Sequence, residues 1–165
     1  MTGELGLPPG FTRFRFGDLA CTVVSDGIIK LGPARESFPN ASPAEVDALL
    51  ARHYLPTDAV LLDQNLLVVE VGGTLVMFDS GVGIDPEFGR KEFGDQTGYA
   101  TANLRAAGID PADIGMIALT HAHPDHAWGL ADPSGARRYP NARLAVGRAD
   151  YEWWTDLSRV DEQPT

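Results

Sequence analysis

Apolar residues in the first half of the chain form short runs separated by glycine, proline and aspartate, a pattern typical of strands joined by turns. Asp26-Gly27 lies between two such runs and is a strong hairpin signal. A second hairpin is predicted where two nearly continuous apolar arms, 65–71 and 74–78, flank Gly72-Gly73, and arms of this kind are typical of strands covered on both faces. The short strands predicted before it lie at 14–16, 21–25 and 28–30.

Helix signals follow these strands and then alternate with further strands. Ser42 as N-cap, Pro43 at the first helical position and Glu45 form a capping box, which predicts a helix start. The other predicted elements are an exposed loop at 81–98, a helix at 97–107 ended by Gly108, a helical turn at 110–113, strands at 114–119 and 143–146, and a helix at 149–157. Hairpins followed by alternating helices and strands predict an α/β fold, with a mixed sheet and flanking helices.

Length, charge and cysteine content narrow the class of protein. The 165 residues are enough for one domain, predicted over 1–165 with a loose lead-in at 1–12. A net charge of −10 argues against nucleic acid and anionic membrane surfaces as partners. The single Cys21 lies in an apolar run, which predicts a buried thiol. We find no signal peptide at the start and no apolar stretch of about 20 residues, so a cytoplasmic location is expected.

The candidate chemistry is concentrated in the hexapeptide His121-Ala122-His123-Pro124-Asp125-His126, which holds three of the four histidines. Imidazole nitrogen and carboxylate oxygen are the ligands that borderline divalent metals prefer. In an extended segment the side chains of His121 and His123 point the same way and can hold one ion together. Pro124 then turns the chain, which directs Asp125 and His126 toward a second ion or a substrate.

Two simpler interpretations of these histidines stay open. The hexapeptide is also compatible with a structural zinc clip or with a polar loop, although structural zinc sites usually recruit cysteine and this loop has none. The fourth histidine, His53, lies near the end of the helix that starts at Ser42. The helix dipole favours a histidine there, so we predict a structural or solvent-facing role for it.

The segment from Thr120 to His126 resembles the H-x-H-x-D-H signature of the metallo-β-lactamase superfamily. The match extends upstream to Leu75–Gly81, which is similar to the family's strand ending in an Asp-Ser-Gly turn, and downstream to Ala127–Leu130. The resemblance implies an αββα sandwich. It also implies that His121 and His123 serve a first metal and that Asp125 and His126 serve a second, with Zn²⁺ expected in a two-metal site and iron or manganese as alternatives.

The family's further ligands are not visible in this sequence. Members complete their sites with two more histidines and a bridging carboxylate, whereas no histidine follows His126 here. We therefore expect the chain to supply roughly the first half of the sandwich, truncated at its carboxyl end. A complementing carboxyl-terminal half or a second copy of the chain is the expected partner.

The expected reaction is metal-assisted hydrolysis of a small-molecule substrate. A bound divalent ion lowers the pKa of water to about 7, and the resulting hydroxide attacks an ester, lactone or phosphoester. Asp125, close to this nucleophile, is the candidate catalytic residue. The resemblance is strongest to the lactonase and organophosphate-hydrolase branch. A glyoxalase II-like thioester hydrolase, an iron sulfur dioxygenase and a non-catalytic fragment that binds metal weakly stay open as alternatives.

Two features outside the hexapeptide carry predictions of their own. Asp79, directly after the strand at 74–78, either orients a ligand histidine or bonds nearby backbone N–H groups as a turn residue. Trp153 and Trp154 are adjacent in the last predicted helix, so one of them is expected to remain exposed, as a dimer contact or as a seam to a missing half.

Overall fold

A computed structural model describes residues 10–84 and 89–159 of the chain. A six-stranded sheet with the strand order β1-β2-β3-β4-β5-β6 forms its centre. The strands are β1 (Phe11–Phe16), β2 (Leu19–Lys30), β3 (Leu61–Val71), β4 (Thr74–Phe78), β5 (Ile114–Ala118) and β6 (Arg143–Ala145). The helices are α1 (Ala34–Ser37), α2 (Pro43–Arg52), α3 (Gly89–Phe93), α4 (Ala100–Ala106), α5 (Pro124–Ala127) and α6 (Arg148–Trp154), with 3₁₀ turns at Pro111–Asp113, Trp128–Leu130 and Leu157–Arg159.

The sheet is mixed, as predicted, because its two halves are connected differently. β1 to β4 pair antiparallel, and the hairpin at Gly72-Gly73 is confirmed. A short turn also joins β1 to β2, whereas α1 and α2 lie between β2 and β3. β4, β5 and β6 are parallel to one another and need crossover connections, which include α4 between β4 and β5. The carboxyl ends of these three parallel strands therefore meet at one edge of the sheet.

The Asp26-Gly27 pair does not form a hairpin turn, so that prediction is wrong. β2 runs continuously from Leu19 to Lys30 and carries a bulge between Ser25 and Gly27. The bulge exists because Gly27 has a φ of 110°, and a Cβ there would lie 1.9 Å from the carbonyl oxygen of Gln96. The sharp turn lies earlier, between β1 and β2 at residues 17–18, where Gly17 has a φ of 59°.

The hydrophobic core lies on the face of the sheet that α4 covers. Ala100 and Leu104 of α4 pack on buried residues of the central strands, which include Leu66, Met77 and Ile117. α4 ends before Gly108, which adopts a φ of 74°, as the predicted helix stop requires. The capping box of α2 is also confirmed, since the Ser42 hydroxyl accepts the Glu45 N–H and Glu45 reaches back to Ser42.

The opposite face of the sheet bears apolar side chains that the described residues leave largely open to solvent. Phe16 is 73% exposed, Val71 50% and Phe14 45%. We call this surface the open sheet face; it holds a shallow apolar depression of about 380 Å³ lined by Phe14, Phe16, Leu19, Cys21, Leu67, Val69, Val71, Val76 and Phe78. The thiol of Cys21 lies among these residues and is buried, as predicted.

The prediction of an exposed loop at 81–98 is partly wrong, because this segment contains buried residues and a short helix. Val82 and Thr97 are completely or almost completely buried, and α3 lies between them. These residues are drawn inward because the buried carboxylate of Asp26 accepts the Val82 N–H. Residues 85–88 and most of the predicted lead-in, 1–9, lie outside the described residues. Within the described ranges, no helix has the length and apolar character needed to cross a membrane.

Candidate metal centre

The hexapeptide begins three residues beyond β5, at the edge where the parallel strands end. Asp79 follows β4 directly, and α6 begins shortly after β6. Side chains from three strand ends are thus brought together, as is usual for open sheets with parallel strands. His123 is extended, with a ψ of 155°, and Pro124 starts the short helix α5.

Of the three imidazoles in the hexapeptide, that of His121 contacts both of the others. Nε2 of His121 lies 3.1 Å from Nδ1 of His123, and the ring centroids of His121 and His126 are 4.0 Å apart. Oδ2 of Asp125 lies 3.1 Å from Nε2 of His126. The structure therefore brings all four predicted site residues into one cluster. His53, at the carboxyl end of α2, is exposed and stands apart from this cluster, as expected.

Asp79 connects the end of β4 to the histidine cluster through hydrogen bonds. Its carboxylate accepts the Thr120 N–H at 2.8 Å and the Thr120 hydroxyl at 2.9 Å, and it accepts Nδ1–H of His126 at 2.9 Å. Asp79 therefore orients the ring of His126, while the backbone N–H that it accepts belongs to Thr120, 41 residues along the chain, and not to its own turn. Its own φ of 63° places it in a turn conformation that non-glycine residues seldom adopt.

These hydrogen bonds determine which ring nitrogens keep free lone pairs. The Thr120 hydroxyl donates to Asp79, so its oxygen is left to accept Nδ1–H of His121 at 3.1 Å. In the tautomer that these bonds favour, the proton of each ring lies on Nδ1 and its Nε2 faces the cluster. A neutral imidazole with a free nitrogen is the form that binds metal ions.

The donor atoms fit a divalent cation two at a time, as the pairs His121–His123 and Asp125–His126. Nε2 of His126 lies 3.1 Å from the Asp125 carboxylate, and this contact is favourable only with a proton or a cation between the two atoms. Two nitrogens at about 2.0–2.1 Å from a tetrahedral ion are about 3.3 Å apart, close to the 3.1 Å between His121 and His123. Among the described residues, no three His, Cys, Asp or Glu side chains are arranged around one common point.

A family model of the metallo-β-lactamase superfamily matches residues 59–163, more than half of the chain. The chain belongs to the metallo-β-lactamase superfamily. Its mixed sheet with flanking helices and its histidine loop at a strand end are thus those of a known fold, and the resemblance noted in the sequence is confirmed.

Curated members of the superfamily match over shorter segments. The chain is 38% identical over 52 residues to the N-acyl homoserine lactonase AttM of Azorhizobium caulinodans, a segment that covers 32% of this chain and 18% of the lactonase. It is 36% identical over 50 residues to AttM of Agrobacterium fabrum, covering 30% of this chain and 17% of that protein.

Solved structures of the superfamily match over nearly the whole chain. The dizinc quorum-quenching lactonase AidC, determined with a product bound, has a TM-score of 0.81 at 27% identity over 90% of this chain. The hydrolase AbOPH has a TM-score of 0.80 at 28% identity over 95% of this chain. The matched regions are 48% of AidC and 51% of AbOPH, so the chain spans about half the length of these two structures.

Further residues of this chain hold the hexapeptide loop in place, and the sequence analysis did not identify them. Gln64 of β3 is buried and donates its side-chain amide to the carbonyl oxygen of Asp125 at 2.8 Å. Ser80 donates its backbone N–H and its hydroxyl to the carbonyl oxygen of His126. Gly129 allows this close approach, because a Cβ there would lie 1.9 Å from the carbonyl oxygen of Ser80. Gln64 lies between Asp63 and Asn65 and outside the strand predicted at 65–71, so the sequence offered no signal for it.

Proposed function

We propose that this chain carries the metal-binding loop of a metal-dependent hydrolase that acts on lactones or related esters. In this proposal His121 and His123 hold one divalent ion, and Asp125 and His126 hold a second, with zinc as the first choice. The single observation that carries the proposal is the cluster of ring nitrogens and a carboxylate oxygen, in which His126 Nε2 faces Asp125 Oδ2 at 3.1 Å.

Divalent ions in such a site supply Lewis acidity, since they acidify water and polarise a carbonyl or phosphoryl oxygen. The chain's own residues provide the conditions for this chemistry. Asp79 and Thr120 keep the protons of His121 and His126 on Nδ1, away from the cluster. Gln64 holds the backbone of Asp125, which supports the role proposed here for its carboxylate as the acceptor of a proton from an attacking water.

Lactones are favoured as substrates by the relatives. Both AttM proteins are N-acyl homoserine lactonases, and AidC is a dizinc lactonase of the same fold. The proposal accordingly takes a small-molecule lactone as the substrate class, with esters and phosphoesters as related ones. The cytoplasmic location stays a prediction from the sequence.

Among the described residues, no three donors surround one common point. We therefore propose that each ion takes further ligands from residues other than those described, with a complementing carboxyl-terminal half or a second copy as the source. A metal bound by two protein ligands leaves the rest of its coordination shell to water, which predicts modest affinity for the isolated chain.

Zinc binding by matched variants tests the proposal. Purified wild-type chain, the double variant His121→Ala/His123→Ala and the control His53→Ala are equilibrated at several free zinc concentrations, and bound zinc is measured by elemental analysis. We expect the double variant to lose most of the bound zinc and the control to bind like the wild type, because His53 lies apart at the end of α2. Equal zinc in the wild type and the double variant would refute the proposal.

A further inference from the structure

α6 contacts the histidine loop through a carboxylate that does not cap its own helix. Oδ1 of Asp150, in the first turn of α6, accepts the backbone N–H of Ala122 at 3.0 Å, a contact between residues 28 positions apart. An acidic residue at this helical position commonly reaches back to its own N-cap. Here the N-cap is Gly147, which has no side-chain cap, and the Asp150 carboxylate bonds the loop instead.

The Ala122 N–H belongs to the peptide group between His121 and Ala122, which lies between the two histidines of the His121–His123 pair. A peptide group is planar, so anchoring this N–H restricts ψ of His121 and φ of Ala122 together. Together with ψ of Ala122 and φ of His123, these two angles set the relative direction of the His121 and His123 side chains. The hydrogen bond to Asp150 therefore acts on the 3.1 Å separation of their ring nitrogens.

A second contact from the same helix bears on His123 itself. Trp154 lies four residues after Asp150, on the same side of α6, and its ring meets the His123 ring edge-on, with centroids 6.1 Å apart and an interplanar angle of 86°. Trp153, its neighbour, instead lies under the Arg159 guanidinium at 3.8 Å. α6 thus touches the pair once at the backbone and once at a ring.

We propose that Asp150 and Trp154 are positioning residues that hold His121 and His123 in the geometry that binds a metal ion. The proposal rests on the proposed function insofar as it concerns metal affinity. The restraint on the Ala122 peptide group is a separate property and exists without any ion.

Amide hydrogen exchange in the metal-free chain tests this restraint directly. In Asp150→Ala the Ala122 amide should exchange at least about 10-fold faster than in the wild type, because its acceptor is gone. Asp150→Asn keeps an acceptor oxygen and should restore most of the protection. Asp47→Ala removes an equal charge from an exposed position of α2 and should leave Ala122 unchanged. Unchanged exchange in Asp150→Ala would overturn the role of Asp150.

Zinc affinity, measured by chelator competition, tests the consequence for the metal. We expect Asp150→Ala to bind zinc about 10-fold more weakly, as for other residues that orient metal ligands, and Asp150→Asn to recover. Trp154→Leu should also bind more weakly, whereas the matched variant Trp153→Leu should not, and this pair decides the case if Asp150→Ala does not fold. Wild-type affinity in both Asp150→Ala and Trp154→Leu would overturn the positioning role. Unchanged zinc binding in His121→Ala/His123→Ala would instead refute the proposed function, which keeps the two failures distinct.

Discussion

Asp26 offers a sharp test of how the fold supports the loop beside the candidate metal centre. Its side chain is completely buried in the bulge of β2. One carboxylate oxygen accepts the Val82 N–H at 2.8 Å, and the other accepts the Ala100 N–H at the start of α4 at 2.7 Å. Asp26 thereby ties the segment after Asp79 to the helix that covers the core. We consider the substitution Asp26→Asn, which preserves shape and removes the charge.

The structure predicts the size and sign of the effect. Burial raises the pKa of Asp26 from 3.8 to about 6, although backbone N–H groups such as those of Val82 and Ala100 oppose the shift. The native state holds this proton more tightly than the unfolded chain does. The stability that Asp26 contributes is therefore fully present below about pH 4 and is lost as the pH rises through about 6. A shift of about 2 pKa units corresponds to about 3 kcal/mol.

The assay is urea unfolding of the wild type and Asp26→Asn, followed by tryptophan fluorescence between about pH 4 and pH 7.5. The unfolding free energy of the wild type minus that of the variant should fall by about 2.4 kcal/mol over this range, because asparagine does not titrate and the rest of the about 3 kcal/mol is lost only below pH 4. Tyr139, whose pKa burial and the nearby Asp26 raise to about 12, stays neutral throughout this range. A difference that is independent of pH, or that grows with pH, would refute the reasoning.

Three further predictions concern the metal loop and the open sheet face. Asp79→Ala removes the acceptor for His126 Nδ1–H and should weaken zinc binding about 10–100-fold in a chelator competition, and unchanged affinity would contradict the orienting role of Asp79. The isolated chain should hydrolyse lactones barely above background, because a misplacement of about 1 Å costs about 100-fold in rate, and robust turnover by a monomer would contradict the proposal of outside ligands. Val71→Lys places a charge on the open sheet face and should reduce self-association, measured by light scattering. Leu62→Lys, at a position of similar exposure on the other face, should not reduce it. Equal effects of the two variants would show that the open sheet face does not drive association.

Much of the local structure could be predicted from the sequence because its causes are local. The capping box at Ser42 and the helix stop at Gly108 depend on residues within one turn of the helix. The clustering of His121 to His126 is also local, since an extended step and a proline turn bring side chains of neighbouring residues together. The family, the strand before the loop and the cluster of donors therefore followed from sequence alone. The roles of these donors as metal ligands and of Asp125 in catalysis stay predictions.

Tertiary structure decided which distant residues hold that loop. Gln64 and Asp150 reach it from β3 and α6, and their contacts depend on strand order, which no short window of sequence contains. The pair Asp26-Gly27 shows the same limit most directly. Aspartate and glycine suit a hairpin turn and a strand bulge equally well, because both need a positive φ and a side chain that accepts N–H groups. The bulge forms here because Val82, Gln96 and Ala100, more than 50 residues further along the chain, supply the partners that bury it.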